Sequence, residues 1–238
     1  MLISQTELAA EIKTTYKDKK VTVVHPRELL LNDDFPKKFR DQVTARLRAL
    51  GVNIILNERV QFSDSDIGNG DNNVTLVTDK GTKIESDVQL IATGNHVNSG
   101  LAGTLNSQLV ESDTGLVKVR STLQLDHEGY EHIFALGDVT NVKETKMAFR
   151  AGFQANVVAK NIVALTNEKK LAEYKPGPPM MFITLGKNGG VGLLPMFGGM
   201  LAGNWMVKSL KSKNLFVNKN WKEITGESPP SLENSTKV

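Results

Sequence analysis

Cysteine is absent from all 238 residues, so this chain carries no Cys-x-x-Cys redox pair, thiolate metal site, disulfide framework or cysteine nucleophile. A dithiol-dependent disulfide reductase is excluded unless its thiols lie elsewhere. Long apolar runs are missing too. Met180 to Leu185 and Val191 to Phe197 fall far short of the roughly 20 residues that a membrane-spanning helix needs, and no basic stretch followed by an apolar core marks a signal peptide. Charge of one sign is scarce: 29 Lys and Arg against 26 Asp and Glu give +3, interleaved almost everywhere, so composition gives nucleic-acid binding little support. The four histidines, His25, His96, His127 and His132, share no metal-ligand spacing, and no Ser, His and Asp set stands out. A hydrophobic content of 39% supports ordinary buried cores in a folded, soluble chain.

What is present alternates helix and strand. Gln5 to Tyr16 carries Leu8, Ile12 and Tyr16 at intervals of four, predicting a helix with one buried stripe. Val21 to His25 predicts a buried strand, Phe35 to Leu50 a helix with Phe39, Val43, Leu47 and Leu50 inward and Gly51 as its C-cap, and Val52 to Leu56 a second strand. That order implies a parallel sheet with crossovers. Asp64 to Asn73 reads as a polar turn, Asn73 to Thr78 with Thr82 to Glu85 as an antiparallel hairpin, and Asp87 to Ala92 as a strand ending at Thr93-Gly94, where a domain crossing is expected. Further on come predicted strands at Leu116 to Val119 and Ile133 to Leu136, and a long helix from Thr145 to Leu165 with Met147, Phe149, Phe153, Val157, Val158, Ile162 and Leu165 on one broad face. Met180 to Leu185 and Val191 to Leu194 flank Lys187-Asn188-Gly189-Gly190, a strong hairpin signal. The last ten or so residues read as frayed.

One carboxylate is placed for chemistry. Asp138 follows the strand Ile133 to Leu136 and precedes the long helix, the position at the carboxyl edge of a parallel sheet where open α/β folds bind ligands. It could accept hydrogen bonds from ribityl or ribose hydroxyls, while Gly137 lets a ligand approach the backbone, and the helix would point its first amides at the same crevice. A Gly-Asp dipeptide is also among the commonest turns, and by itself more often caps a helix. Thr93 and Gly94, ending an earlier strand ahead of it, make a second such turn.

Together these segments resemble the two-dinucleotide-fold flavoproteins, most closely the apoptosis-inducing-factor-like group of FAD-dependent pyridine nucleotide oxidoreductases, in its ferroptosis-suppressor-like branch. The matching stretches are 7–12, 21–25, Ala92-Thr93-Gly94, Ala135-Leu136-Gly137-Asp138, Lys146-Met147-Ala148, 151–156, Tyr174-Lys175-Pro176-Gly177 and Leu215-Phe216-Val217. The resemblance implies an α/β fold of the FAD/NAD(P)-binding, Rossmann-like kind with a small C-terminal α+β region. It implies a partial NAD(P)H-binding domain over 1–94, the later part of an FAD-binding domain over 95–170, a hairpin and amphipathic segment over 171–225 and a tail over 226–238. It implies FAD and NAD(P)H as cofactors, with Gly137 and Asp138 at the ribityl or pyrophosphate region, Lys146, Met147 and Ala148 lining the flavin ring, and Thr93 and Gly94 at the shared turn. Glu7 would lie near the nicotinamide, and His25 and Arg27 at the adenosine ribose, where they would not repel the 2′-phosphate of NADPH; a histidine there is more often a surface residue. The reaction implied passes electrons from NAD(P)H through flavin to a quinone-like acceptor.

No Gly-x-Gly-x-x-Gly loop precedes the first helix or occurs elsewhere, so the stretch corresponds to the C-terminal portion of such a flavoprotein. That leaves open a catalytically inactive chain that acts by binding a partner or a membrane. The glycines from Gly186 to Gly203 read as structural. Met200 to Trp221 mixes apolar residues with Lys208, Lys211, Lys213 and Lys219, which suits either peripheral contact with a membrane or packing on the main body. The expected location is cytoplasmic, or peripheral on a lipid droplet, the plasma membrane or the mitochondrial surface.

Overall fold

The computed structural model describes residues 3–62, 74–94, 96–196, 199–209 and 217–227. The polar turn expected at 64–73, residues 210–216 of the amphipathic segment and the final residues from 228 onward lie outside them. The chain divides into two compact units: a split unit joins Met1–Thr93 to Met180–Val238, and an inserted unit comprises Gly94–Pro179.

In the split unit, β1 (Thr22–His25) pairs in parallel with β2 (Asn53–Leu56), from Thr22 opposite Asn53 to His25 opposite Leu56. Helix α2 (Lys37–Ala49) makes the crossover, burying Phe39, Val43 and Leu47, each stabilising the fold by about 1.5–3 kcal/mol. Gly51 ends it as the sequence predicts: φ is +86°, its amide donates to Arg48 O at 2.9 Å and the Val52 amide to Leu47 O at 3.1 Å, the paired bonds of a Schellman cap. Helix α1 (Ile3–Thr15) departs from its predicted stripe. Thr6, Ala9 and Ala10 are buried, whereas Leu8 is 45% and Tyr16 60% exposed. The reason is close packing: α1 lies against β1 and β6 (Met181–Thr184), and alanines permit that approach where leucine and tyrosine would hold the elements apart.

The predicted hairpin forms as β4 (Val74–Thr78) and β5 (Lys83–Ser86), joined at one edge by β3 (Val60–Gln61), which the sequence did not signal. The strand expected at Asp87 to Ala92 does not form; Val88, Leu90 and Ile91 are exposed, and among the described residues no neighbouring strand takes up their backbone groups, without which an extended segment has no ladder. The second predicted hairpin pairs β6 with β7 (Gly190–Leu194), and β8 (Met200–Ala202) adds a third strand. The glycines there are structural: a Cβ on Gly190 would stand 2.0 Å from Ile183 O. The rest of the expected amphipathic segment includes two short helices, α5 (Asn204–Val207) and α6 (Val217–Thr225), with Val207 buried and Trp205 exposed.

The inserted unit contains helix α3 (Gly100–Leu105), single 3-10 turns at Ser107–Leu109 and Gly137–Val139, and helix α4 (Ala148–Thr166). The strands expected at Leu116 to Val119 and Ile133 to Leu136 make only isolated bridges, such as Val117 with Val110 and Thr140, and Phe134 with Gln124. Two small apolar clusters hold the unit: Leu109, Val117 and Leu125, and Leu123, Val158 and Tyr174. Helix α4 overturns the expected broad apolar face. Its buried residues are Gln154, Val158 and Asn161, while Phe153, Ile162 and Leu165 are exposed. The inward polar residues hold loops: Asn161 donates to Thr122 O (2.9 Å) and Ala172 O (2.8 Å) and accepts from the Ala172 amide (2.8 Å).

Candidate functional site

Gly137, with φ at +78°, turns the chain out of its extended approach into a 3-10 turn that leaves Asp138 exposed. The turn is pinned from both ends. The Gly137 amide donates to Gln154 Oε1 of α4 at 2.7 Å, and Gly137 O accepts from the amide (3.2 Å) and hydroxyl (2.9 Å) of Thr140. Lys146 then folds back over it, donating from Nζ to Thr140 O at 2.6 Å and Val142 O at 2.9 Å. Burial lowers the Lys146 pKa from its ordinary 10.5, opposed by the nearby carboxylates of Asp138 and Glu144. Helix α4 starts directly after Met147, which makes no side-chain cap, so its first amides have no intrahelical acceptor.

Behind this turn lies a carboxylate the sequence reading missed. Glu144, whose side chain is 1% exposed, accepts from Tyr174 Oη at 2.7 and 2.9 Å, from Gln154 Nε2 at 2.7 Å and from the Gly177 amide at 3.3 Å, and pairs with Arg150 Nε at 3.6 Å. Gln154 therefore links Glu144 to Gly137. Burial, then Glu144 itself, raise the Tyr174 pKa above its ordinary 10.0 and keep the phenol a donor. Gly177 is explained by the same network, since a Cβ there would fall 1.8 Å from Arg150 Nη1. Polar residues four and seven apart on α4, at 150, 154 and 161, were the signal that its inner face is hydrogen-bonded.

Gly137, Asp138, Glu144, Lys146, Met147 and Arg150 line one narrow hollow, with Thr145, Ala151 and Gln154; Ala148 follows at the exposed helix start. Of the other residues singled out from sequence, Thr93 is exposed at the end of the split unit and Gly94, with φ at +108°, opens the inserted one. Glu7 anchors α1 to β6, its Oε1 accepting from the Thr184 amide at 2.8 Å and hydroxyl at 2.9 Å. His25 requires a correction. It is fully buried, not a surface residue; it ends β1, and Leu30, Leu31 and Phe35 of the following turn are buried in the same unit. Burial, then Arg27 and Arg40, lower its pKa from 6.5. Arg27 remains half-exposed beside it.

An exposed carboxylate, a cation and uncapped helix amides around a positive-φ glycine suit the hydroxyls and anionic groups of a flavin dinucleotide in donor and acceptor chemistry. The hollow itself admits no water-sized sphere, so it is not a cavity for the ring. Among the described residues there is no cluster of His, Cys, Asp and Glu that could hold a metal ion, and no helix is long and apolar enough to cross a membrane.

Residues 5–154 match the pyridine nucleotide-disulphide oxidoreductase family. The chain is 37% identical over 230 residues to ferroptosis suppressor protein 1 of Taeniopygia guttata, covering 94% of this chain and 59% of that protein. It is 35% identical over 212 residues to a FAD-dependent oxidoreductase of Flammulina velutipes, covering 89% and 63%. Among solved structures, a ferredoxin reductase from Rhodopseudomonas palustris superposes with a TM-score of 0.58 at 18% identity, over 73% of this chain and 41% of that one. The chain thus spans less than two thirds of the length of these relatives.

Proposed function

The chain belongs to the pyridine nucleotide-disulphide oxidoreductase family, and on that premise we propose that it serves a flavin-dependent NAD(P)H oxidoreductase that delivers electrons to a quinone-like acceptor. FAD and NAD(P)H are the cofactors of this family, and the similarity to a FAD-dependent oxidoreductase and to ferroptosis suppressor protein 1 supports a reaction carried by flavin without a dithiol, in keeping with the absence of cysteine. On this reading the inserted unit is the flavin half and the split unit, through β5, is the nicotinamide half.

The observation that carries the reading is the Gly137–Asp138 turn. It is braced by Gln154, Thr140 and Lys146 so that the backbone hydrogen bonds are spent on holding the loop and the Asp138 carboxylate stands free in solvent. In the proposed role Asp138 accepts hydrogen bonds from flavin hydroxyls, and Lys146 with Met147 and Ala148 borders the ring. Thr93 and Gly94 border the dinucleotides, and Glu7 lies toward the nicotinamide. Flavin, when bound, supplies the hydride-accepting chemistry; the protein contributes position, a local positive charge at Lys146 and helix amides that favour developing negative charge. Exposed Trp205, Trp221 and Ile224 support peripheral contact of the C-terminal segment with a membrane, from which a lipid-soluble quinone would arrive; liposome flotation with and without residues 200–221 tests that placement.

The purified chain is expected to bind FAD and colour yellow, to bleach on anaerobic addition of NADH or NADPH, and to recover colour with a soluble quinone. A folded, colourless protein that takes up no added FAD would overturn the flavin reading for this chain, and bleaching without recovery would remove the quinone from it.

A further inference from the structure

Gln154 carries hydrogen bonding in one direction, from the Gly137–Asp138 turn to a buried carboxylate. Its Oε1 accepts from the Gly137 amide at 2.7 Å, and its Nε2 donates to Glu144 Oε1 at 2.7 Å. A backbone amide can only donate and an ionised carboxylate can only accept, so these two partners dictate which way the Gln154 amide faces. Glu144 is itself held in place. Tyr174 Oη donates to both of its oxygens, while the Gly177 amide and Arg150 Nε reach Oε2. Arg150 is anchored in turn, its Nη2 donating to Pro178 O at 2.6 Å. Gln154 is 1% exposed, so solvent does not compete for either of its bonds.

The consequence falls on the backbone of Gly137. A Cβ there would meet Ala151 Cβ at 3.6 Å, an ordinary contact, so nothing steric confines this glycine and its backbone rotates unless it is held. Gln154 fixes its amide and Thr140 its carbonyl, which pins the peptide planes on both sides. Asp138 is the next residue and is exposed, so its carboxylate goes where those planes send it. Resting on the reading of this turn as the flavin site, we propose that Gln154 and Glu144 are positioning residues for Asp138, acting through Gly137 to hold the carboxylate where it meets the flavin hydroxyls. The role requires a side chain that accepts at one end and donates at the other. Glutamate in place of Gln154 has the same length and meets that requirement only while it carries a proton, because two ionised carboxylates cannot share the contact. The other charged or titratable groups around it are Arg150 on the same helix, Tyr174 from the segment that follows, and Lys146 and Asp138 along the hollow.

The test measures FAD affinity by fluorescence quenching in the full chain and in two variants, each at about pH 8 and about pH 5.5, on either side of the raised titration expected for paired carboxylates. Relative to wild type at the higher pH, Gln154→Glu is expected to bind FAD about tenfold more weakly, the scale of one buried hydrogen bond left unmade. At the lower pH most of that loss is expected to disappear. Combining Gln154→Glu with Glu144→Gln returns one donor and one acceptor to the contact, and is expected to recover the affinity at the higher pH. In the FAD-free chain, hydrogen exchange of the Gly137 amide, followed by NMR at the higher pH, is expected to quicken about tenfold in Gln154→Glu and to slow again in the double variant. Circular dichroism checks that each variant folds. A Gln154→Glu variant that binds FAD as wild type does at the higher pH, or whose loss is equal at both pH values and persists in the double variant, overturns the positioning role and leaves the flavin reading intact. A wild-type chain that takes up no FAD overturns the flavin reading and this role with it.

Discussion

The two units stabilise their loops in opposite ways. In the inserted unit the loops around Gly137, Thr122 and Ala172 are hydrogen-bonded by two side chains of a helix, Gln154 and Asn161, with Glu144 behind them accepting from Tyr174, Gln154 and the Gly177 amide. In the split unit the turn after β1 is closed by apolar burial: Leu30, Leu31 and Phe35 are buried, and His25 with them. A fully satisfied polar network locks one geometry, because each lost partner leaves a buried group exposed to the full desolvation penalty. A turn closed by apolar burial is held by the exclusion of water, which is not directional. The first arrangement suits a site that must hold a loop still; the second fixes which residues are buried more than how they are oriented.

The largest expected effect breaks the network. Glu144→Ala removes a buried acceptor and the partner of Arg150, and is expected to destabilise the chain by about 3–5 kcal/mol, read as a lower urea midpoint by circular dichroism. Asn161→Ala deletes three loop hydrogen bonds without touching a charge, and about 2–3 kcal/mol is expected in the same measurement. In the split unit the effect is smaller: His25→Leu exchanges a buried imidazole for an apolar group of similar size and is expected to change stability by no more than about 1 kcal/mol. A loss as large as that of Asn161→Ala would erase the contrast.

The smallest effect is the sharpest. His25 has its pKa lowered from 6.5 in the folded chain, so the unfolded chain binds the extra proton first. Stability therefore falls as pH drops from 6.5 toward the lower folded value and is unaffected by this group above 6.5. Urea midpoints between pH 5 and 7 are expected to slope in the wild type, with that part of the slope missing in His25→Leu.

The contrast also marks what was readable in advance. Helix α2 and its glycine cap were legible because apolar spacing and a positive-φ terminus are local properties, and the two hairpins followed from turn chemistry for the same reason. Helix α1 was legible as a helix but not in its buried face, since the choice of Thr6, Ala9 and Ala10 over Leu8 and Tyr16 depends on how near β6 comes, and β6 lies far along the chain. Helix α4 misled in the same way: its apolar residues form a stripe by spacing, yet two of its three buried residues are Gln154 and Asn161, whose amides meet Gly137 and the loops at Thr122 and Ala172.

By itself the sequence determined the alternation of helices and strands, the turn at Gly137 and Asp138, the absence of thiol chemistry and the family resemblance, because these rest on residue identity and spacing within a few turns of chain. Only the tertiary structure decided that Glu144 stands behind that turn and that His25 is sealed away. Each of those depends on which distant groups exclude water from one another, and burial of that kind is a property of packing between elements that no local pattern encodes.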